Sequence, residues 1–504
     1  MINSGEESVV VAEDTTAVNN AQKNNAHAKK KGGFSKIGFV LAAAGAAVGL
    51  GNIWRFPIQV QKFGGGAFVL MYLFFGVLLG VILLMLEISI GRKTGEGVIG
   101  AFRALCKKFW WLGIIAAIIP LLILSYYNVL GGWTLFYSIY YLTYGMGQGL
   151  GAFNPENQGG SEQIFNGLLQ GGGGYVGIIF MLLFLGATAF IILMGVQKGI
   201  EKASKILMPV LVIFILFIMV YTLCQGKDAW KGVGNFFIPD FKKFFGLDKG
   251  SFKMDGVLAA LTQVFYSMSI ASASIITYGS YMQKKESITS AATQIAVFDI
   301  AIGVFAGLIV IPGLFILGGG VSAETSGGSA LLFVQLPQLF YKTGGPIGSL
   351  IFGGIFYVLV FFAALTSAIS LMEAAARAVS ELFKITRKKA VLLLFVFFTI
   401  IGILISLGRA FEWKVLPVLN NGVFAPMSLD DTIDWIANNF FICSVSLMTC
   451  ICAAWCSDFE RIEDEIGLKK KSVRTFYKIM IKYVAPILIL VVMLWGIISS
   501  FVQF

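Results

Sequence analysis

The run AAGAAVGLGNIWRFP, residues 43–57, lies inside an apolar segment long enough to cross a membrane, yet its residues work against a continuous helix. Gly45, Ala46, Ala47, Gly49 and Gly51 remove side-chain bulk, and each glycine weakens helical propensity by about 1 kcal/mol. Asn52, Arg55 and Pro57 follow, at the depth of the outer half of a bilayer. Irregular backbone persists there only when it is buried in protein or lines a cavity, because unpaired N–H and C=O groups cost several kcal/mol in lipid. A discontinuous membrane helix of this kind is a common way to hold a small ion or solute at the midplane.

The rest of the chain suits a membrane. Of its 504 residues, 57% are hydrophobic and 13% charged, about half the charged share of a soluble domain. The net charge of +11 sits in short loops between apolar runs, which reads as orientation in a bilayer rather than nucleic-acid binding. Apolar segments of spanning length run Ile37–Gln61, Ala67–Gly91, Leu112–Tyr144, Tyr175–Val196, Ile206–Leu223, Val257–Met282, Ile295–Gly318, Ile347–Leu382, Ala390–Leu407, Ile433–Cys456 and Val484–Phe504. An all-α integral membrane fold of about eleven helices is expected.

Basic loops at Arg92–Lys108, Lys198–Lys205, Lys284–Lys285, Lys384–Lys389 and Lys469–Arg474 place the N-terminus in the cytoplasm of a plasma (inner) membrane and Phe504 outside. Residues 1–33 lack a signal-peptide core and read as a disordered cytoplasmic tail. The outer loop Gln225–Lys253 departs from the charge rule, with six lysines partly offset by Asp228, Asp240, Asp248 and Asp255.

A second interruption, QVFYSMSIASAS at Gln263–Ser274, places small and hydroxylated residues mid-membrane, five spans after the first. Two breaks in corresponding positions suggest an inverted repeat, residues 34–224 and 254–457, with an extra final helix at 477–504.

The chemistry-bearing residues are few. The six cysteines show no zinc spacing, and the single histidine, His27, lies in the tail, so no histidine metal site or proton relay is expected in the membrane. Three intramembrane carboxylates, Glu87, Asp299 and Glu373, each cost about 2.5–3.5 kcal/mol at a helix centre and need partners. For Asp299, in VFDIAIGVFAGLIVIP, a bound cation is the economical partner, and bonding to broken-helix backbone is the alternative. Backbone capping is the better reading for Glu87, while Glu373 reads as a gate. Ala363, Thr366 and Ser367 share one helix face, offering neutral oxygens suited to an alkali cation, or simple back-bonding to the preceding turn.

These motifs resemble the neurotransmitter:sodium symporter family. The resemblance rests on Gly45–Pro57, on Gly64-Gly-Gly-Ala-Phe68, and on Glu87 with Gly91-Arg92. Pro120 with Tyr126-Tyr127, Lys198-Gly-Ile-Glu201, Gln263-x-Phe265-Tyr-Ser267 and Ala363-x-x-Thr-Ser367 support it from about Phe34 onward. It implies a bacterial, LeuT-like, eleven-span member: a five-plus-five inverted repeat with discontinuous helices 1 and 6, importing an amino acid with sodium by alternating access.

The same resemblance implies two Na⁺ sites. Ala47, Asn52, Ser267 and Asp299, with the substrate carboxylate, would form the first, and Gly45, Val48, Ala363, Thr366 and Ser367 the second. The substrate would touch Ala46, Leu50, Gly51, Ile123, Tyr127, Tyr266, Ser269, Ala271, Ser272, Ser367 and Leu371. Arg55 with Asp434 resembles an outer gate, with Asp430 or Asp431 as alternatives to Asp434. Tyr281 with Glu373 and Lys30 with Glu381 resemble an inner gate, although Lys30 reads nearly as well as a surface pairing. A chloride-ligand serine of the family is Gly303 here, although Tyr72 and Gln263 remain, so Asp299 is read as supplying the negative charge and chloride as not required. Gly49 replaces the aspartate of amine carriers, which favours an α-amino acid. An aromatic lid of the family is read at Ser272, and the space left there favours a bulky hydrophobic or aromatic side chain.

Rival readings are a sodium-independent amino-acid antiporter, a channel, a membrane enzyme, and a non-transporting sensor on the same scaffold. The first lacks GLGNIWRFP among its motifs, and a channel calls for a polar pore helix rather than two isolated breaks. No nucleophile context or paired carboxylates supports an enzyme. The intact ligand sets argue against a sensor. No nucleic-acid partner is expected.

Overall fold

Ser35 starts the first span: its hydroxyl accepts the Gly38 N–H at 3.2 Å and caps helix Lys36–Ala47. The helix ends where Val48 turns extended at ψ 106°, and the chain resumes as Gly51–Lys62 after a 54° bend. This is the computed structural model of the chain, and it describes residues 33–147, 160–250, 252–318, 328–420, 423–498 and 501. Residues 1–32, including Lys30 and nearly all of the expected tail, lie outside the described residues.

Nine further helices among the described residues are long and apolar enough to cross a membrane, from Gly66–Thr94 to Lys471–Ile498. The sixth span is split into Asp255–Ser267 and Ser274–Gly279, each too short to cross alone. With the bent first span, these make up the eleven expected. The span Ser349–Phe383 is central, with 78% of its apolar window buried, and the final span is peripheral at 22%. That final span begins at Lys471 rather than Val484, because Lys478 and Lys482 fall inside the helix instead of preceding it.

Short helices lie in the connections between the spans, among them Val98–Leu105, Gly160–Gln170, Lys227–Phe237 and Phe459–Ile466. One loop departs from the all-α expectation. Lys414–Asn420 and Val423–Ser428 pair as an antiparallel hairpin, with Pro417 opposite Pro426 and an irregular register between Lys414 and Pro417. Prolines cannot donate to a ladder, which confines such a pair to a two-stranded ribbon.

The second half of the sixth span is held by close backbone approach. A Cβ on Gly91 would lie 2.0 Å from the Ile276 carbonyl oxygen, and one on Gly279 would lie 2.8 Å from that of Ile88. Because backbone has nowhere to yield, Gly91→Ala is expected to destabilise the protein by about 3 kcal/mol. A thermal-stability assay in detergent should show a drop of several degrees; an unchanged midpoint would mean that these spans separate freely.

Candidate ion and solute site

Breaking two helices frees backbone oxygens, and hydroxyl and amide side chains take them up. Ser367 Oγ donates toward the carbonyls of Val48 (3.0 Å) and Gly45 (3.2 Å). Ser269 Oγ donates to the Ala46 carbonyl at 2.8 Å, joining one break directly to the other. Gln263 Nε2 donates to the Gly51 carbonyl at 3.3 Å. In the second break Ser269, Ala271 and Ala273 all adopt positive φ (53°, 62° and 65°). Such backbone costs about 1–2 kcal/mol per residue and is held there by its surroundings.

Asp299 is fully buried on Ile288–Leu317. Among the described residues it makes no ion pair. Instead Asn52 Nδ2 donates to Oδ1 at 2.7 Å, while Ser267 Oγ (2.8 Å) and Tyr72 Oη (3.0 Å) donate to Oδ2. The Gly49 N–H donates to Asn52 Oδ1 at 3.2 Å, fixing the amide. Side-chain donors from the first, second and sixth spans thus converge on the carboxylate, rather than the broken-helix backbone. The structure brings together Asn52, Ser267 and Asp299 as anticipated and adds Tyr72. At the second cluster, Ala363, Thr366 and Ser367 lie against Gly45 and Val48, and a Cβ on Gly45 would be 3.0 Å from Thr366 Cβ. Thr366 Oγ1 back-bonds to the Phe362 and Ala363 carbonyls at 3.0 and 3.1 Å, so only Ser367 reaches across to the first span. These neutral, hard oxygens fit a monovalent alkali cation better than a transition metal.

Between the clusters lies a cavity of about 50 Å³. Ala46, Leu50, Gly51, Ile123, Tyr127, Tyr266, Ser269, Ser272, Ser367 and Leu371 line it as anticipated. Ala271 does not. Its N–H is turned away and donates to Glu87 Oε1 at 2.6 Å, the capping role read for that carboxylate. Gly49, Phe265, Ile270 and Ile442 also line the cavity. Phe265 and Ile270 adjoin residues already singled out, whereas nothing in the sequence marks Ile442, on the tenth span. Ser272 forms wall and not lid: its hydroxyl turns to the Ser269 carbonyl at 2.7 Å. The aromatic ring facing Arg55 is Tyr266, with the guanidinium 4.5 Å from its centroid, and Tyr266 packs so closely on Gly51 that a Cβ there would lie 2.3 Å away.

The gates differ in part from expectation. Arg55 and Asp434 form no ion pair within 4 Å; Asp434 Oδ1 instead accepts from Tyr126 Oη and from Asn438 Nδ2 at 2.7 Å. Asp430 and Asp431 are taken by Arg409, at 2.6 and 3.3 Å, which removes them as alternatives in this state. On the side expected to face inward, Tyr281 Oη donates to Glu373 Oε1 at 2.8 Å as anticipated, and Arg387 adds a bidentate ion pair at 2.5 Å that sequence reasoning missed. Fourteen residues and a turn between spans separate Glu373 from Arg387, so no local spacing announces the pair. Lys30 lies outside the described residues; among them Glu381 accepts the Gly97 and Gly100 N–H groups, capping Val98–Leu105, and pairs with Arg377 at 3.1 Å. Phe34 closes this side, its ring 5.4 Å from that of Tyr278 and 5.9 Å from that of Tyr281.

Known proteins are similar to this chain in sequence and fold. The family model described as the sodium:neurotransmitter symporter family matches residues 32–150 and 163–503. An uncharacterized sodium-dependent transporter of Methanocaldococcus jannaschii is 30% identical over 461 residues, covering 90% of this chain and 88% of its own. One from Bacillus subtilis is 35% identical over 345 residues, 67% of this chain and 70% of its own. The crystal structure of MhsT in complex with L-phenylalanine superposes with a TM-score of 0.79 at 32% identity, covering 92% of this chain and all of that one. The fold is therefore the five-plus-five membrane fold with discontinuous first and sixth helices, and it serves transport, not enzymatic catalysis. The chain is a multi-pass membrane protein and a sodium-dependent transporter belonging to the sodium:neurotransmitter symporter family.

Proposed function

We propose that this transporter imports an α-amino acid with a bulky apolar or aromatic side chain, coupled to inward movement of two sodium ions and independent of chloride. The observation that carries the reading is the seam where the two breaks meet. Asp299, Asn52 and Ser267 gather on one side of an apolar cavity, Ser367 and the Gly45 and Val48 carbonyls on the other. Helix ends without partners carry partial charge, so one break can face a carboxylate and the other an ammonium group. Gly49 offers no side chain to bind an amine, and a Cβ there would sit 2.9 Å from Ser367 Oγ and 3.0 Å from Tyr127 Oη. The absence of a carboxylate there favours an α-amino acid over an amine, with the first cation as the carboxylate's partner. Support for the substrate class comes from the named ligand of MhsT and from a mouse sodium-dependent neutral amino acid transporter that is 29% identical over 298 residues, 55% of this chain and 40% of its own.

With the N-terminus inside, the Tyr281–Glu373–Arg387 network and Phe34 form the cytoplasmic closure, and Arg55 over Tyr266 forms the outer one. Such contacts hold in one state and part in another, as alternating access requires. A sodium-independent antiporter or a sensor has no observation in its favour.

Competition binding with each of the twenty amino acids, with and without sodium, tests the reading. Phenylalanine, tyrosine, tryptophan or a long aliphatic residue should bind best, and only with sodium. Glycine or alanine ranking first would overturn the size assignment. A Cβ at Gly303 would meet nothing closer than 3.7 Å, so a serine would fit there and its absence leaves the negative charge to Asp299. Uptake in chloride and in gluconate should accordingly be equal, and a strong chloride requirement would show that Asp299 does not replace the anion.

A further inference from the structure

The outer segment between the fifth and sixth spans breaks the charge rule that the rest of the chain obeys, with six lysines between Gln225 and Lys253. In helix Lys227–Phe237, Ala229, Gly232 and Phe236 face the protein. Trp230 and Phe237, which are 61% and 53% exposed, share one flank, and Lys227 and Lys231 lie on the outward side. Farther along, Phe241 and Phe252 are also exposed, the latter at 63%, with Lys242 exposed between them. Among the described residues Lys227 and Lys242 have no ion-pair or hydrogen-bonding partner, whereas Lys231 pairs with Asp228 at 2.7 Å. A helix with aromatic residues on one flank and lysines beside them lies in the plane of a membrane interface, with rings among the acyl chains and ammonium groups among the headgroups.

This segment is also joined by backbone to the turn after the broken first span. The Gly66 N–H donates to the Ile238 carbonyl (3.2 Å) and the Asp240 N–H to the Gly64 carbonyl (3.0 Å). Cβ atoms on Gly64, Gly65 and Gly66 would come within 2.1–2.3 Å of the carbonyl oxygens of Asp240, Asn235 and Phe237. The glycine triplet thus exists to let this segment sit against the turn that follows Lys62, at the end of the outer half of the broken first span.

We propose that the segment from Lys227 to Phe252 is an anionic-phospholipid binding surface on the outer leaflet. Lys227, Lys231 and Lys242 bind headgroup phosphates, Trp230, Phe237, Phe241 and Phe252 anchor in the acyl region, and the glycine turn carries this anchoring to the outer half of the first span. Positive charge beside exposed aromatic rings complements an anionic bilayer surface in both its parts.

The test uses the full chain reconstituted in nanodiscs of phosphatidylcholine with or without phosphatidylglycerol. Retention of phosphatidylglycerol over phosphatidylcholine after exchange into detergent is measured by mass spectrometry. The triple variant Lys227→Gln, Lys231→Gln, Lys242→Gln is expected to lose about fivefold or more of that preference, and the corresponding Lys→Arg triple to keep it. Brominated phosphatidylcholine should quench wild-type tryptophan emission more than that of Trp230→Phe. Equal lipid preference in the Gln triple, or quenching of Trp230 by aqueous iodide but not by brominated lipid, would overturn the proposal and mark the surface as facing water or a protein.

Discussion

In Asp299→Ala, sodium-dependent binding of the substrate falls by about a hundredfold or more, and the sodium and substrate affinities fall together. Asp299 accepts three hydrogen bonds from side chains while fully buried. Each bond to a charged group is worth about 1.5–3 kcal/mol, and removing the acceptor leaves buried donors unpaired. Losing two of these bonds without replacement already exceeds the ~2.7 kcal/mol of a hundredfold change. Asp299→Asn keeps an oxygen acceptor in the same volume but not the charge, so it should fold normally and lose sodium affinity. Isothermal titration of sodium in the presence of substrate reads this out, with thermal stability of the Asn variant as the control. An Asn variant that binds sodium as the wild type does would remove Asp299 from the ion site. Thr366→Ala and Ser367→Ala are expected instead to raise the sodium concentration required, with Ser367→Ala the stronger because Thr366 is occupied by its own helix.

The second large effect concerns size. Ser272 lines the cavity with a small side chain, and the walls around it include Ile123, Leu371 and Ile442. Each buried CH₂ contributes about 0.8 kcal/mol, so a substrate that fills this wall exceeds alanine by several kcal/mol. Ser272→Phe refills the space and should shift preference toward smaller amino acids by tenfold or more, roughly 1.4 kcal/mol. The relative inhibition constants of phenylalanine and alanine in a competition assay measure it. An unchanged ranking would place the side chain of the substrate elsewhere in the cavity.

How far residues alone could lead is clearest at the breaks. Glycine and alanine where a span needs bulk, and six small or hydroxylated residues among the eight from Ser267 to Ser274 in the sixth span, are local signals, and both breaks were legible from them. Asp299 was equally legible as a lone carboxylate in an apolar run. Of its donors, Asn52 and Ser267 were named through the family resemblance, whereas Tyr72 comes from the second span and only packing brings it within 3.0 Å. The ion pairs that form were hidden for the same reason. Asp430 lies four residues from Asp434, yet Arg409 reaches it across a hairpin, and Glu381 meets the start of a short helix far from it in sequence, while Lys30 lies outside the described residues. The hairpin of Lys414–Ser428 was hidden by its two prolines, which argue against strands everywhere but in a two-stranded ribbon.

Sodium coupling is the centre of the account, and the most direct measurement is uptake of labelled phenylalanine into proteoliposomes under an imposed inward sodium gradient with an inside-negative potential. Two sodium ions falling through 100 mV release about 2.3 kcal/mol each. That sustains roughly a thousandfold accumulation, at about 1.4 kcal/mol per decade, before the chemical gradient is counted. Concentrative uptake that collapses when choline replaces sodium, and that is electrogenic, is the predicted result. Uptake that persists in choline and is driven by amino acid preloaded inside the vesicles would contradict it.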